Sequence, residues 1–208
     1  MKILICDDHP IVRQGIRLIL EQERDVKQIE EARDGTEVIK LLNKIVFDII
    51  ILDISLPGRS GLEILQTIKM KWPQVNVLML SMHPEEKYAV RALKYGASGY
   101  LSKDSAAQEL MLAILKIANG GKYVSQSLGE NLVSKFDPEN PLLIHETLSG
   151  REFEIMIQLA NGKSIEEIAN ELNISRKTVT TYRSRLMFKM GFAKNTQLTR
   201  YCIENDLI

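Results

Sequence analysis

The sequence predicts an α/β fold, a doubly wound five-stranded parallel sheet, followed by a small all-α unit of four helices. Three observations carry this expectation. Over residues 1–120, short apolar runs alternate five times with segments of helical spacing, the rhythm of strand–crossover–strand units. The runs at 3–6 and 49–52 are continuously apolar, as strands covered on both faces must be. From residue 147 onward the strand signal stops and only helical patterns remain, three of them opened by a serine.

The five strands are expected at KILICDD (2–8), VKQIEEA (26–32), DIIILDI (48–54), NVLMLSM (76–82) and SGYLSK (98–103). Helical spacing fills 10–22, 35–45, 61–71, 85–95 and 105–119. In the first of these Ile11, Val12, Gly15, Ile16, Ile19 and Leu20 are expected to share one face. Residues 121–146 carry Gly, Ser, Asn and the breaker cluster DPENP, so they are expected to form a linker with one short helix near 126–135. In 147–208, Ser149 with Glu152 and Ser164 with Glu167 have the spacing of capping boxes. Gly162 is placed to end the first of these helices, Ser175 to open the third and Gly191 to close it. NTQLTRYCIEND makes the last helix.

Composition narrows the class. The 208 residues are 45% hydrophobic and 26% charged, which fits a globular protein large enough for its own core. Formal net charge is zero, so only the distribution of charge can point to a partner. Two cysteines, Cys6 and Cys202, exclude a disulfide framework or a zinc pattern, and both are expected to be buried and inert. The opening MKILICDDHP brings charge too early for a signal peptide, and no apolar run reaches the ~18 residues of a membrane span. A cytoplasmic protein is expected.

Ligands of a doubly wound sheet gather at the carboxyl ends of the strands, where strand order reverses. At those ends stand Asp7 and Asp8, Asp53, Ser81 and Lys103. If the first and third strands are neighbours, three carboxylates converge with a hydroxyl and an ammonium nearby. Converging carboxylates repel unless a cation offsets them, and Mg²⁺ takes carboxylates together with water and phosphate oxygens. A carboxylate beside Mg²⁺ and a fixed Lys can attack a phosphoryl group. Asp53 is therefore the expected phosphoacceptor, with Ser81 bonding the new phosphate. Singly, an Asp at a strand end is a turn former and Lys103 a solvated charge; five such groups at one edge favour chemistry. His9 is expected only to begin the first helix and His83 to lie in a loop, neither in a metal-ligand set.

The segment SIEEIANELNISRKTVTTYRSRLMFKM reads as helix, short turn, helix. Ile165, Ile168, Ala169 and Leu172 make the buried face of its first helix, Ile174 plugs the turn, and Val179, Leu186 and Met190 face inward from the second. Arg176, Lys177, Arg183, Arg185, Lys189, Lys194 and Arg200 fall between Ser175 and Tyr201 with no Asp or Glu among them. The acids sit on the two preceding helices, at Glu152, Glu154, Glu166, Glu167 and Glu171. A solvated helix face is the bland account. Cations concentrated on the second helix of a helix-turn-helix point instead to double-stranded DNA. Lys177, Thr178, Thr180, Thr181 and Ser184 are the candidates near base edges, and Arg176, Arg185 and Lys189 those near phosphates.

With these residues in place, the chain resembles a two-component response regulator of the NarL/FixJ subfamily. CDDHP, DIIILDISLPGRSG, LMLSMH and GASGYLSKD match its receiver domain in order across the first 120 residues, and LSGREFEIMIQLANGKSIEEIANELNISRKTVTTYRSRLMFKMG resembles the LuxR-type output domain. The resemblance implies a flavodoxin-like receiver over 1–120, a linker over 121–146 and a LuxR-type helix-turn-helix over 147–208. It implies phosphorylation of Asp53 by a sensor histidine kinase, with Mg²⁺ held by Asp8, Asp53 and the Ser55 backbone carbonyl, and by Asp7 through water. It makes Ser81 and Tyr100 the switch pair, Ser81 drawn inward by the phosphate and Tyr100 following, and Lys103 the phosphate partner. It also implies a homodimer on DNA, formed through the last helix at about 195–206. The chain departs from common patterns in Lys103-Asp104, where Lys-Pro is frequent, and in Thr180 and Tyr182, where many members carry Lys and His.

Two other readings are weaker. A receiver that works without phosphate would have a broken pocket, whereas Asp7, Asp8, Asp53, Ser81 and Lys103 are all present. A Mg²⁺-dependent phosphohydrolase would need a second Asp two residues after Asp53, where this chain has Ser55.

Overall fold

A computed structural model describes residues 1–82, 85–125, 129, 143–205 and 207–208, with only the backbone for 85–87. The expected helix near 126–135 and the loop at His83 lie outside the described residues, apart from Gly129. The chain divides into two compact units, Met1–Pro138 and Glu139–Ile208.

The first unit alternates strictly: β1 (Lys2–Cys6), α1 (Pro10–Glu21), β2 (Gln28–Ala32), α2 (Gly35–Leu42), β3 (Ile49–Asp53), α3 (Gly61–Lys71), β4 (Asn76–Ser81), α4 (Glu85–Lys94), β5 (Gly99–Ser102) and α5 (Ala106–Ala118). All strand pairs are parallel, in the order β2-β1-β3-β4-β5. The order reverses between β1 and β3, so a crevice opens beyond their carboxyl ends. Every residue of β3 is buried, as its unbroken apolar run requires. α1 packs beside α5, α2 beside α3, and α4 on β5. On the α1/α5 side the core joins Ile3, Ile5, Ile16, Leu20, Ile49, Ile51 and Ile114.

Local chemistry sets the helix starts. Asp34 accepts from the backbone N–H groups of Thr36 and Glu37 to open α2, and Ser60 from that of Leu62 to open α3. Pro10 occupies the first turn of α1, where its missing N–H costs nothing. The expected buried face of α1 is narrower than its apolar pattern: Ile16 and Leu20 are buried, but Ile11 is 84% exposed and Gly15 is exposed too. A helix on a sheet covers only a stripe, and Ile11 falls outside it. Beyond α5, Tyr123 bonds along β5, its N–H to the Ser98 carbonyl and its carbonyl to the Tyr100 N–H, which covers part of that free strand edge.

The second unit begins with a 3₁₀ turn (Ile144–Thr147) and continues through α6 (Gly150–Ala160), α7 (Ile165–Glu171), α8 (Arg176–Met190) and α9 (Asn195–Glu204). Both capping boxes form, Ser149 with Glu152 and Ser164 with Glu167, and Ser175 caps α8 through the Thr178 N–H. The α7–α8 turn is tight: Asn173 adopts φ +49°, and the Ile174 N–H reaches the Ala169 carbonyl. α8 ends at Gly191, whose φ of +70° is open to glycine at little cost. Ile168, Ala169, Leu172, Val179, Leu186 and Met190 are buried as expected, while Ile165 is half-buried. Glu152 and Glu154, expected among the acids of these helices, are not solvated: both are buried, Glu154 against Arg151 at 2.6 Å. The Cys6 and Cys202 thiols are free and buried. No helix among the described residues is long and apolar enough to cross a membrane.

Candidate functional site

Asp53 is the last residue of β3, Asp7 and Asp8 follow β1, and these strands are neighbours, so the three carboxylates meet at the reversal of strand order. Lys103, just past β5, reaches back between them. Its ammonium lies 2.8 Å from Asp53 Oδ2 and 2.7 Å from Asp7 Oδ2, with all three side chains almost fully buried. The Lys103 N–H donates to the Ser81 carbonyl at 2.8 Å, which ties the ends of β4 and β5 together beneath the pocket. The Ser55 N–H donates to Asp53 Oδ1 at 3.3 Å. Ser81 and Tyr100 are fully buried. Tyr100 is adjacent in strand to Leu101, a residue of the α1/α5 core, so alternation turns Tyr100 to the other face of the sheet.

The electrostatics follow from burial and crowding. Burial pushes the Asp53 carboxyl up to about 7; Lys103 opposes the rise and Asp7 adds to it. Burial alone would lower the Lys103 ammonium, but Asp53 and Asp7 more than offset it and hold it above its ordinary range. Burial, with Asp53 and Asp7 close by, pushes the Cys6 thiol well up, so it is not a nucleophile here.

The residues present fit a hard cation. Ligand atoms of Asp7, Asp8, His9 and Asp53 lie within 4.8 Å of one another. Asp7 Oδ2 and Asp8 Oδ1 are buried oxygens that accept no hydrogen bond. Asp7 Oδ2 has the Lys103 ammonium 2.7 Å away as an ion-pair partner.

Two neighbours of the pocket were not read from the sequence. His9 begins α1 as expected, but it does more. Its N–H donates to Asp7 Oδ1 at 2.8 Å, which folds the ring to 3.2 Å from that oxygen and 2.9 Å from Asp8 Oδ1. His9 therefore borders the carboxylate cluster as well as opening α1. Arg13 donates from Nη1 to the Asp7 carbonyl at 2.6 Å and from Nε to Glu31 at 3.1 Å. His9 could have been suspected from its adjacency to two acids; nothing in the sequence marks Arg13.

On α8, Arg176, Lys177, Thr180, Thr181, Ser184 and Arg185 are exposed. Ser175, Lys177, Thr178, Thr181, Tyr182 and Arg185 line one shallow concavity. Thr178 is half-buried and shares a 2.8 Å hydroxyl contact with the capping Ser175. The Thr180 and Thr181 hydroxyls donate to the carbonyls of Arg176 and Lys177 at 2.9 Å, leaving their remaining capacity as acceptors. The cations divide. Arg176 pairs with Glu166 at 2.9 Å and Arg183 bonds Asn195. Lys189, expected near phosphates, reaches 2.6 Å from Glu152 Oε2, the same oxygen that accepts from the Ser149 N–H in the α6 capping box. Lys177 and Arg185 have no ion-pair partner among the described residues.

Comparison with known proteins agrees with both halves. Residues 3–115 match the model of the response regulator receiver domain, and residues 146–202 that of bacterial regulatory proteins of the luxR family. The chain is 34% identical over its full length to the response regulator UvrY of Escherichia coli, covering 95% of that protein. It is 34% identical to the oxygen regulatory protein NreC of Staphylococcus aureus, covering all of this chain and 99% of that one. Among solved structures, RcsB of Salmonella enterica serovar Typhimurium, bound to promoter DNA in the presence of the phosphomimetic BeF₃⁻, superposes with a TM-score of 0.61 at 30% identity and 97% coverage of each chain. The chain belongs to the two-component response regulators with a receiver domain and a LuxR-type helix-turn-helix. That family consists of transcription regulators, not enzymes.

Proposed function

We propose that Asp53 accepts a phosphoryl group from a sensor histidine kinase and that the modification promotes binding of the output unit to double-stranded DNA as a homodimer, in the cytoplasm. The observation that carries the reading is the Lys103 ammonium held within 2.8 Å of Asp53 and 2.7 Å of Asp7 at the reversal of strand order. Asp8, Asp53 and the Ser55 carbonyl would hold Mg²⁺, with Asp7 acting through water; the ion would offset carboxylate charge and that of the transferring oxygens. Asp53 supplies the attacking oxygen. Lys103, 2.8 Å from Asp53, would pair with the product phosphate, and Ser81, at the end of the neighbouring strand, would bond it. A modification shifts a conformational equilibrium only through contacts that differ between states; Ser81 and the buried Tyr100 would supply them.

In this reading residues 1–120 receive the signal, 121–146 link and 147–208 bind DNA, with α9 forming the dimer contact. Thr178, Thr180, Thr181 and Ser184 would lie near bases, Lys177 and Arg185 would meet phosphates, and Arg176 and Lys189, paired with Glu166 and Glu152, would contribute less. Support for DNA as partner comes from the exposed cations of α8 and from RcsB, whose solved complexes include two dimers bound to two parallel DNAs. The test is incubation of the full chain with acetyl phosphate and Mg²⁺. One acid-labile phosphate is expected, absent in Asp53→Asn, because an amide is a far poorer nucleophile. Undiminished labelling of Asp53→Asn would overturn the assignment.

A further inference from the structure

α8 turns Val179, Leu186 and Met190 inward. Its opposite side carries Lys177, Thr181 and Ser184, and then Phe188, which is 87% exposed, the highest value for any large hydrophobic residue among those described. Phe188 follows these three by eleven, seven and four positions, spacings that return to the same helix face within about 40°. The phenyl ring therefore stands on the face that carries Lys177 and Ser184, not on its flank. A single exposed apolar side chain is ordinary on a protein surface. This one extends a surface whose other members are hydroxyls and cations with no acid among them, so its occupant must be anionic yet offer an apolar group. In the major groove of DNA that group is the 5-methyl of thymine.

We propose that Phe188 is a DNA-reading residue that packs on a thymine 5-methyl group in each half-site. The inference rests on the DNA-binding reading above and deepens it with a base preference. Phe188 lies one turn beyond Ser184, about 6 Å along the helix axis, so the thymine should stand roughly two base pairs from the pair nearest Ser184.

The test uses the full chain and duplexes selected by it from a random pool. Each thymine of the selected site is replaced in turn by deoxyuridine, which removes only the methyl group. One position per half-site should weaken binding about fourfold, the worth of one methyl withdrawn from water. Phe188→Ala should bind the thymine duplex about fourfold or more weakly, should not distinguish uracil from thymine there, and should keep the wild-type salt slope. If wild type is indifferent to every substitution, or Phe188→Ala keeps the same discrimination, the contact does not exist. A change in self-association of Phe188→Ala without DNA would assign the ring to a protein interface and also overturn the proposal. Selection and salt-dependent binding without a uracil effect would sink this inference alone. No selection and no salt-dependent binding would remove the DNA reading with it.

Discussion

Gly61→Ala is expected to disable the Asp53 pocket without changing any of its side chains. A Cβ on Gly61 would lie 2.0 Å from the Asp53 carbonyl oxygen and 2.9 Å from both the Asp53 carbonyl carbon and Ile54 Cα. An ordinary contact needs roughly 3.5 Å, so the start of α3 and the end of β3 must part by about 1.5 Å. Neither side yields easily. Both are backbone, the Gly61 N–H donates to the Ile54 carbonyl at 2.8 Å, and Asp53 is held in register with Leu80 of β4. Overpacking of this kind costs about 1–3 kcal/mol, offset by ~0.4–1 kcal/mol from the stiffer unfolded chain. The φ of Gly61 is not positive, so backbone strain adds nothing. Displacing the attacking carboxylate by about 1 Å should slow phosphoryl transfer on the order of a hundredfold. Phosphorylation rates from acetyl phosphate with Mg²⁺, measured beside urea unfolding midpoints, check both effects. Gly15→Ala serves as control, since an added Cβ there meets nothing within 4 Å; it should leave the rate unchanged and raise the midpoint slightly. A Gly61→Ala protein with wild-type rate and midpoint would refute the claim that close backbone approach places Asp53.

Three further outcomes follow from the same geometry. The Asp53 carboxyl titrates near 7 in the folded chain against 3.8 as its ordinary value, so the folded state keeps a proton that the unfolded chain has already released. Its contribution to stability should therefore fall as pH rises from about 4 to 7 and level off above, by on the order of 4 kcal/mol; in EDTA, the urea stability of Asp53→Asn relative to wild type should grow between pH 5 and pH 8, and a constant offset would contradict this. Lys189→Ala should lower stability by about 0–1 kcal/mol, since its side chain is 40% exposed, and should leave the salt slope of DNA binding nearly unchanged. Lys177→Ala should instead lower that slope by about one unit; equal slopes for the two variants would show that Glu152 does not hold Lys189 away from phosphates. Arg151→Met should destabilise the chain by about 3–5 kcal/mol, because it removes a buried guanidinium held 2.6 Å from a buried carboxylate; thermal unfolding of Arg151→Met beside Arg151→Lys checks it, and a midpoint unchanged in Arg151→Met would contradict it.

The parts of this molecule that were legible in the sequence are those set by local chemistry and period. Continuous apolar runs marked the inner strands because both faces of β1 and β3 are covered, and Ser–x–x–Glu spacing marked α6 and α7 because their caps close within one turn. Asp7, Asp53 and Lys103 were placed together because position along a strand and strand order suffice to bring them to one edge, and they meet there within 2.8 Å. What stayed hidden depends on neighbours remote in sequence. The apolar pattern of α1 includes Ile11 yet does not say how wide a stripe the sheet covers. Lys189 shows the same limit at the interface. A helical wheel puts it on the flank of α8, where a cation can reach either a phosphate or a carboxylate from its own fold. Glu152, 37 residues earlier, decides between them because its carboxylate is buried and already oriented by the Ser149 cap, so pairing with Lys189 costs little further ordering. Charge counting treated these two residues as members of opposite surfaces. The structure makes them one contact, and the cations of α8 that remain for a polyanion are correspondingly Lys177 and Arg185, the two that line its concavity.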